Sequence, residues 1–590
     1  STVCHADTLT VYYVPEAAMP AQAPPVATLA QSNTSRLLDD CATCASKVLG
    51  YSTPAEIVMG APRAVALRYS SEVANPTGFV EVDAKIRSTT LPTRLSIRLK
   101  KPNGSFVTLA NGSTEAFVAV SDTGTFRIAA QFDASGSDYP QTGAYPLDVI
   151  IGSYWSSGTS YLSDTLQAKV LIQKEVASPF GVGWTVAGVA RLYSQTDGVV
   201  LTDGAGGLAF FEQISCSGSP QACTYTSPKG SFAALSTTAP RSPYSTVWHL
   251  TSRDGGALHF TSGGLLVEAT DRLGNSMRFE YETPSGQATR LLKVKTLVRS
   301  ASAYERATVF TYAGSPGTLS AITLHDGRAS RFTITSGELR TILDPDSLTA
   351  LSATYANGRL IRSSGRNGAA DTVLYDAFGQ VAEHRSPAVL TESDGSIRLS
   401  TVVASLRARL LTNQGTTTGG SPAAAVRADS AYLKVTAPNG TSVASWMHES
   451  GAPSRVETRE ASGKRTFSAT KFNADYLPIS AEETGRGPTL LTWSGAQLLQ
   501  VENSANGAVT KYSYVKYDQI DSVTQNGSRV LRNYYSTDSL LPDSTRSDSA
   551  NTVKYKYDTY KRMVSVRDGS QAVDSVTCEA TYGNAVTARR

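Results

Sequence analysis

The sequence predicts an all-β protein, with an N-terminal β-sandwich followed by a long array of β-hairpins. Three observations carry this expectation. Apolar and polar residues alternate with a period of two nearly everywhere, which is the period of a strand rather than of a helix. Tyrosine (27 residues) outnumbers phenylalanine (16) and tryptophan (5), and tyrosine suits half-buried sheet surfaces where the ring packs and the hydroxyl stays wet. An aromatic strand pattern also recurs about every 21 residues through the C-terminal half.

At 590 residues the chain is too long for one ordinary core, so several domains or a repeat array are expected. The 54 basic and 50 acidic residues leave a net charge of +4 and are interspersed, which argues against a nucleic-acid partner. No run of about 18 apolar residues exists, so no membrane span is expected. The chain starts at Ser1 with neither methionine nor an apolar leader, which is compatible with a processed secreted protein or with a trimmed sequence.

Residues 1–50 read as an extended arm, because AAMPAQAPPVATLAQ (17–31) is rich in Pro and Ala and is not expected to pack on its own. Residues 51–177 read as an immunoglobulin-like sandwich. ALRYSSEV, FVEVDAKI, TRLSIRLKK, FVAVS, TFRIAAQFD, YPLDVIIG and AKVLIQKEV are seven short alternating runs separated by turn sequences such as NPTG, KPNG and SDTG. Residues 178–235 form a junction whose SPFGVGW string permits sharp chain reversal. Trp184 there either plugs the end of the following barrel or is simply buried at a domain boundary.

Residues 236–590 form the hairpin array. KYKYDTYKRMVSVRDG (554–569) shows one unit: Tyr555 and Tyr557 share a face, Lys554 and Lys556 take the other, and a short turn leads to a basic-apolar strand. The same paired slot recurs in RFEY, VFTY, SATY, TVLYD, KYSY and RNYY. Its second members are Tyr281, Tyr312, Tyr355, Tyr375, Tyr514, Tyr535 and Tyr557, a ladder expected on one sheet face with neighbours in contact. Typical steps are 20 residues from Tyr355 to Tyr375 and 22 from Tyr535 to Tyr557, the length of two strands and two turns. Copies without lysine keep the aromatic slot, so geometry is repeated and not positive charge. Asn-Gly and Asp-Gly steps close many units, as at Asn526-Gly527.

YDAFGQV, YDTYKRMVSV, YANGRLIRSSGRNG and DRLGNSMRFEY resemble YD repeats of the RHS/YD family, which includes bacterial RHS proteins, the toxin-complex B and C proteins and the teneurin barrel. The resemblance runs from about residue 180 onward, is clear near 255–385 and 505–570, and is faint between 386 and 500. It implies a YD-repeat β-shell, a ribbon spiralling into a hollow wall with tyrosines stacked between successive turns. SPFGVGW would then open the shell. LDPDSL (343–348) slightly resembles the D-P-x-G-L element at which many RHS shells cut themselves, but serine replaces its glycine and it sits mid-chain, so it reads as a turn.

No motif assembles a catalytic, cofactor or metal site. CATC (41–44) has no second pair for zinc and no strand-helix context for a redox role. SATK (468–471) and SYVK (513–516) lie on strand-like segments, whereas the Ser-x-x-Lys nucleophile opens a helix. The six histidines read as isolated; His249 and His259 alternate with apolar residues on strands. Cys216 and Cys223 flank a short polar loop and form the strongest disulfide candidate. Cys41 pairs with Cys44 and leaves Cys4 and Cys578, or Cys4 takes one of that pair; either way an unpaired thiol near a terminus, Cys578 in both cases, suggests a bond between chains.

The expected function is therefore a non-catalytic secreted or cell-surface scaffold, possible as a subunit of an extracellular filament through its arm and Cys578. Its partners would be further copies, another surface protein or a glycan. The alternatives are an RHS-type cocoon for a toxin outside this chain and a carbohydrate-binding adhesin.

Overall fold

The computed structural model describes residues 26–29, 35–36, 49–52 and 66–589. The last range is interrupted at 156–159, 175–177, 205–206, 219–221, 242–245, 275, 298–304, 316, 367, 376–378, 380, 392–396, 408–422, 425–431, 449–451, 536–539, 548–551, 558–562, 570–572 and 579–584. The fold is all-β. Among the described residues the only helix is the turn Ser71–Ala74, where the Ser70 side chain caps the N–H of Val73. That turn interrupts ALRYSSEV, which alternation alone reads as one strand.

Two sheets build the sandwich. One comprises Val26–Leu29, Thr77–Lys85 and Thr125–Asp133, and the other Ser160–Ile172, Gly143–Trp155, Arg94–Lys100, Ala116–Ala119 and Ala423–Ala424. The alternation of Val80, Val82 and Ala84 against Leu95, Ile97 and Leu99 puts all six into the shared core. Val26–Leu29 lies in the arm, yet it pairs antiparallel with Val82–Lys85 of its own chain. The strand-like TVYYV (10–14), which could add to a neighbour's open sheet edge, lies outside the described residues. Ala66–Tyr69, expected within the sandwich, instead pairs with Trp184–Val186 and packs into the other core.

Leu49–Ser52 adds to the other edge of Ala66–Tyr69. Among the described residues the remaining strands form one 35-stranded sheet: a meander of 34 strands from Arg191–Gln195 to Ala585–Arg589, each paired with the next, plus Ser35–Arg36 against Leu208–Ala209. Tight turns with positive φ at both central residues, Ser336-Gly337, Asn357-Gly358 and Asn526-Gly527, set the hairpin register. The strip coils back on itself. Arg272 pairs with Asp518 at 2.7 Å across 246 residues, and the Lys229 ammonium sits 5.9 Å from the Tyr476 ring centroid, 247 residues away. One lap of the coil is therefore about 246 residues, roughly twelve repeat units. Tyr476 and Tyr517 hold left-handed turn positions (φ 64° and 53°), and each sets its ring against a glycine turn of the first lap, Gly230 and Gly255. A non-glycine residue there costs about 1 kcal/mol or more, and the contact between laps offsets it.

Candidate functional site: the tyrosine ladder and the two inner faces

At six of the seven slots the register shifts by one residue, so that the partner strand carries an extra residue. Tyr281 faces Leu291, Tyr312 faces Leu319, Tyr355 faces Leu360, Tyr375 faces Val381, Tyr514 faces Ile520 and Tyr557 faces Met563, each just after a bulge. The slot hydroxyl then donates to a carbonyl of the preceding unit. Tyr281 reaches Leu266 O (2.9 Å), Tyr312 reaches Leu291 O (2.5 Å) and Tyr355 reaches Leu339 O (2.9 Å). Tyr375 reaches Leu360 O (2.8 Å), Tyr514 reaches Leu498 O (2.7 Å), Tyr535 reaches Ile520 O (2.9 Å) and Tyr557 reaches Pro542 O (3.1 Å). In most units the acceptor is the residue facing the previous slot, so the bonds run as a chain along the coil.

This differs from ring stacking. Among the described residues no ring contact joins two ladder tyrosines; the ladder is hydroxyl to carbonyl, with an arginine beside several acceptors lying over the ring, as Arg290 does over Tyr312 at 4.3 Å. Reading aromatic positions alone missed both the acceptors and two further slots. Phe472 faces Pro478 across the same bulge, and Trp493 donates its Nε1 to Pro478 O at 2.7 Å, inside the stretch where the repeat looked faint. The available signal was an apolar residue five to seven positions after most slots, such as Leu360 after Tyr355 and Leu498 after Trp493.

The first lap closes around a plug made of Ala66–Ala74 and 178–186. Leu319 N–H donates to Pro179 O (2.8 Å), Val182 N–H to Gly337 O (2.7 Å) and Leu360 N–H to the Tyr69 hydroxyl (2.9 Å). Trp184, fully buried, donates its Nε1 to the Tyr355 hydroxyl at 2.8 Å and lies 5.6 Å from the Tyr69 ring. Burial pushes the Tyr69 phenol up to about 12, and it raises those of Tyr281, Tyr312, Tyr355 and Tyr375 as well. These groups stay neutral donors.

The two laps differ at equivalent positions. Two residues before the slot, Phe310 is 1% exposed, Phe332 7% and Val373 2%. Their second-lap counterparts Leu491, Tyr512 and Tyr555 are only half-buried. Past Val381, among the described residues, Leu477 is the only buried apolar residue. The first lap has a filled interior, and the second presents an apolar inner face.

Cys216 and Cys223 are joined by a disulfide across the hairpin Leu208–Ser217 and Ala222–Thr226. Cys4, Cys41 and Cys44 lie outside the described residues, and Cys578 ends the strand Val573–Cys578, opposite Ala585. LDPDSL is a turn, in which the Asp344 carboxylate accepts from the N–H groups of Asp346 and Leu348 (both 3.0 Å). Ser468 and Lys471 of SATK lie three apart on the strand Arg465–Phe472, hence on opposite faces.

One constellation was invisible in the sequence. Ser386 Oγ lies 2.6 Å from Asp371 Oδ1 and 3.1 Å from His384 Nε2, and the same Nε2 lies 2.7 Å from Asp371 Oδ1. A serine relay needs the imidazole to hold the carboxylate with one nitrogen and the serine with the other. Here Nε2 faces both and Nδ1 lies 3.5 Å from the same serine oxygen, so the trio is a closed hydrogen-bonded ring on the sheet rather than that relay geometry. Nor are all the histidines isolated: His249 and His259 stand opposite one another with their Nδ1 atoms 2.7 Å apart. Among the described residues no group of three His, Cys, Asp or Glu side chains converges on a metal position.

No family model matches the chain, and no curated protein matches it. Among solved structures it is similar to a TcdB2-TccC3 crystal structure (11% identity, TM-score 0.33, covering 91% of this chain and 32% of that one). A TcdB2-TccC3-TEV crystal structure shows 10% identity, a TM-score of 0.32 and coverage of 89% and 31%. The Photorhabdus luminescens Tc holotoxin pore shows 12% identity, a TM-score of 0.28 and coverage of 73% and 23%. The chain thus spans less than a third of each of these chains.

Proposed function

We propose that the protein is a non-catalytic scaffold that acts outside the cell, a coiled β-wall whose second lap binds another polypeptide on its inner face. The observation that carries this reading is the contrast between laps: equivalent apolar positions are sealed against the plug in the first and half-open in the second. Contiguous apolar surface rimmed by polar residues marks a contact site for protein. The resemblance of the repeat to the RHS/YD family supports the same reading, since a wall of that kind surrounds or contacts other chains. A cocoon for a toxin polypeptide is the narrower form of the proposal, favoured by the same inner face.

The test places a photo-crosslinking residue at Tyr512 or Leu531, and at Ile342 as the sealed control, in the protein produced by its own cells. The scaffold reading expects a discrete polypeptide adduct from the first two sites and none from Ile342. Fractionation of the same cultures should place the adduct in the medium or on the cell surface. Absence of any adduct at both second-lap sites overturns the reading, and a wholly intracellular adduct overturns its extracellular part.

A further inference from the structure

We propose that His249 and His259 form a two-histidine site for a divalent transition-metal ion on the outer face of the first lap. The strands Thr246–Thr251 and Ala257–Thr261 place the two residues directly opposite one another. Their neighbours Trp248, Leu250 and Phe260 are buried in the core, which fixes the strand faces and turns both imidazoles outward. The rings stand at 76° with centroids 4.9 Å apart, and the two Nδ1 atoms converge to 2.7 Å.

Two imidazoles at that distance share one N–H, so one Nδ1 donates and the other accepts. A tetrahedral ion about 2.0–2.1 Å from each nitrogen requires them to open to about 3.3 Å, a small rotation of partly exposed rings. The shared proton moves through water to Nε2 of its own ring. Both Nδ1 lone pairs then face the metal, and no net proton is released.

The donor set selects the ion. Imidazole suits copper, zinc and nickel, whereas magnesium and calcium require oxygen ligands. Glu268 lies opposite His259, and its carboxylate is held by Arg278 at 3.3 Å. Engaged in that ion pair, it is not counted as a ligand. With two protein ligands the ion keeps water in its other positions, so the site is open and exchangeable and does not hold up the fold.

The full-length protein is titrated with copper(II) sulfate and followed by visible absorption and electron paramagnetic resonance. One equivalent should bind with a spectrum split by two equivalent nitrogens. His259→Asn and His249→Asn should each weaken that binding at least tenfold, while His325→Asn leaves it unchanged. Magnesium should not compete. Unchanged circular dichroism shows that each variant is folded, and two independent variants guard against the failure of one. Equal copper affinity in wild type and both variants, or a spectrum without two nitrogen ligands, overturns the site.

Discussion

Replacing Tyr355 by phenylalanine isolates what the ladder hydroxyl does, because the ring and its packing remain. Two hydrogen bonds disappear: the donation to Leu339 O and the acceptance from Trp184 Nε1. Each contributes about 0.5–1.5 kcal/mol net, and a donor left buried without a partner adds about 1–3 kcal/mol. Trp184 is fully buried, so water does not take over its N–H. The expected loss is about 2–4 kcal/mol, against about 1 kcal/mol or less for Tyr514→Phe, whose single bond to Leu498 O lies in the half-open lap. A coiled repeat need not unfold in one step, so hydrogen exchange read peptide by peptide is the appropriate assay. At about 1.4 kcal/mol per decade, Tyr355→Phe should speed exchange roughly 30- to 700-fold around residues 181–186 and 337–343. Tyr514→Phe should change exchange by less than about tenfold, and only around residues 497–501. Equal effects in the two variants, or none in either, would refute the idea that the hydroxyls tie each unit to its predecessor.

Alkaline pH tests the buried phenols: Tyr69 binds its proton up to about pH 12 when folded and only to about 10 when unfolded. Its contribution, on the order of 2–3 kcal/mol, is whole below pH 10 and is lost as pH rises towards 12, so urea midpoints should fall in that window and fall less in Tyr69→Phe. Gly255→Ala should loosen the seam between laps, because a Cβ there meets the Tyr517 ring at 2.8 Å and φ is +90°; faster exchange on both sides of the seam is the readout. Arg272→Ala should change seam exchange by less than about fivefold, since exposed ion pairs contribute about 0–1 kcal/mol. Reducing the Cys216–Cys223 disulfide, which closes a short loop, should cost about 2 kcal/mol, with exchange rising in residues 208–226 and unchanged at the ladder.

Much of this fold was legible because its determinants are local. A period of two, turn dipeptides such as Asn357-Gly358 and a slot near every 21 residues need only sequence neighbours to be recognised. The bulges were not legible as such, since an extra residue shows only when two strands are aligned, and without them the acceptor carbonyls had no visible role. The coil seam was hidden for a different reason. Tyr517 and Gly255 are 262 positions apart, and nothing in the hydropathy of either turn names the other. Trp184 could be read as either plug or junction because SPFGVGW specifies a reversal but not what the reversal enters. The His249–His259 pair needed strand register, which hairpin spacing alone leaves free by a residue.

The lap length gives the open inner face its physical basis. From Arg191 to Arg589 the coil runs about 1.6 laps of 246 residues, so only part of the first lap has a second lap stacked on its turns. The plug comes from residues 66–74 and 178–186, and its hydrogen bonds reach the strands that hold Leu319 and Leu360 and the turn at Gly337. These strands belong to the first lap. Beyond Val381 the same repeat continues, with the same bulges and the same hydroxyl-to-carbonyl chain, but its inner apolar residues are no longer sealed. The ladder therefore stabilises the wall independently of what fills it. A wall that needs no filling to keep its register can present an apolar face to a partner without collapsing onto itself, and ladder hydroxyls already committed to carbonyls add no unpaired donors to that face.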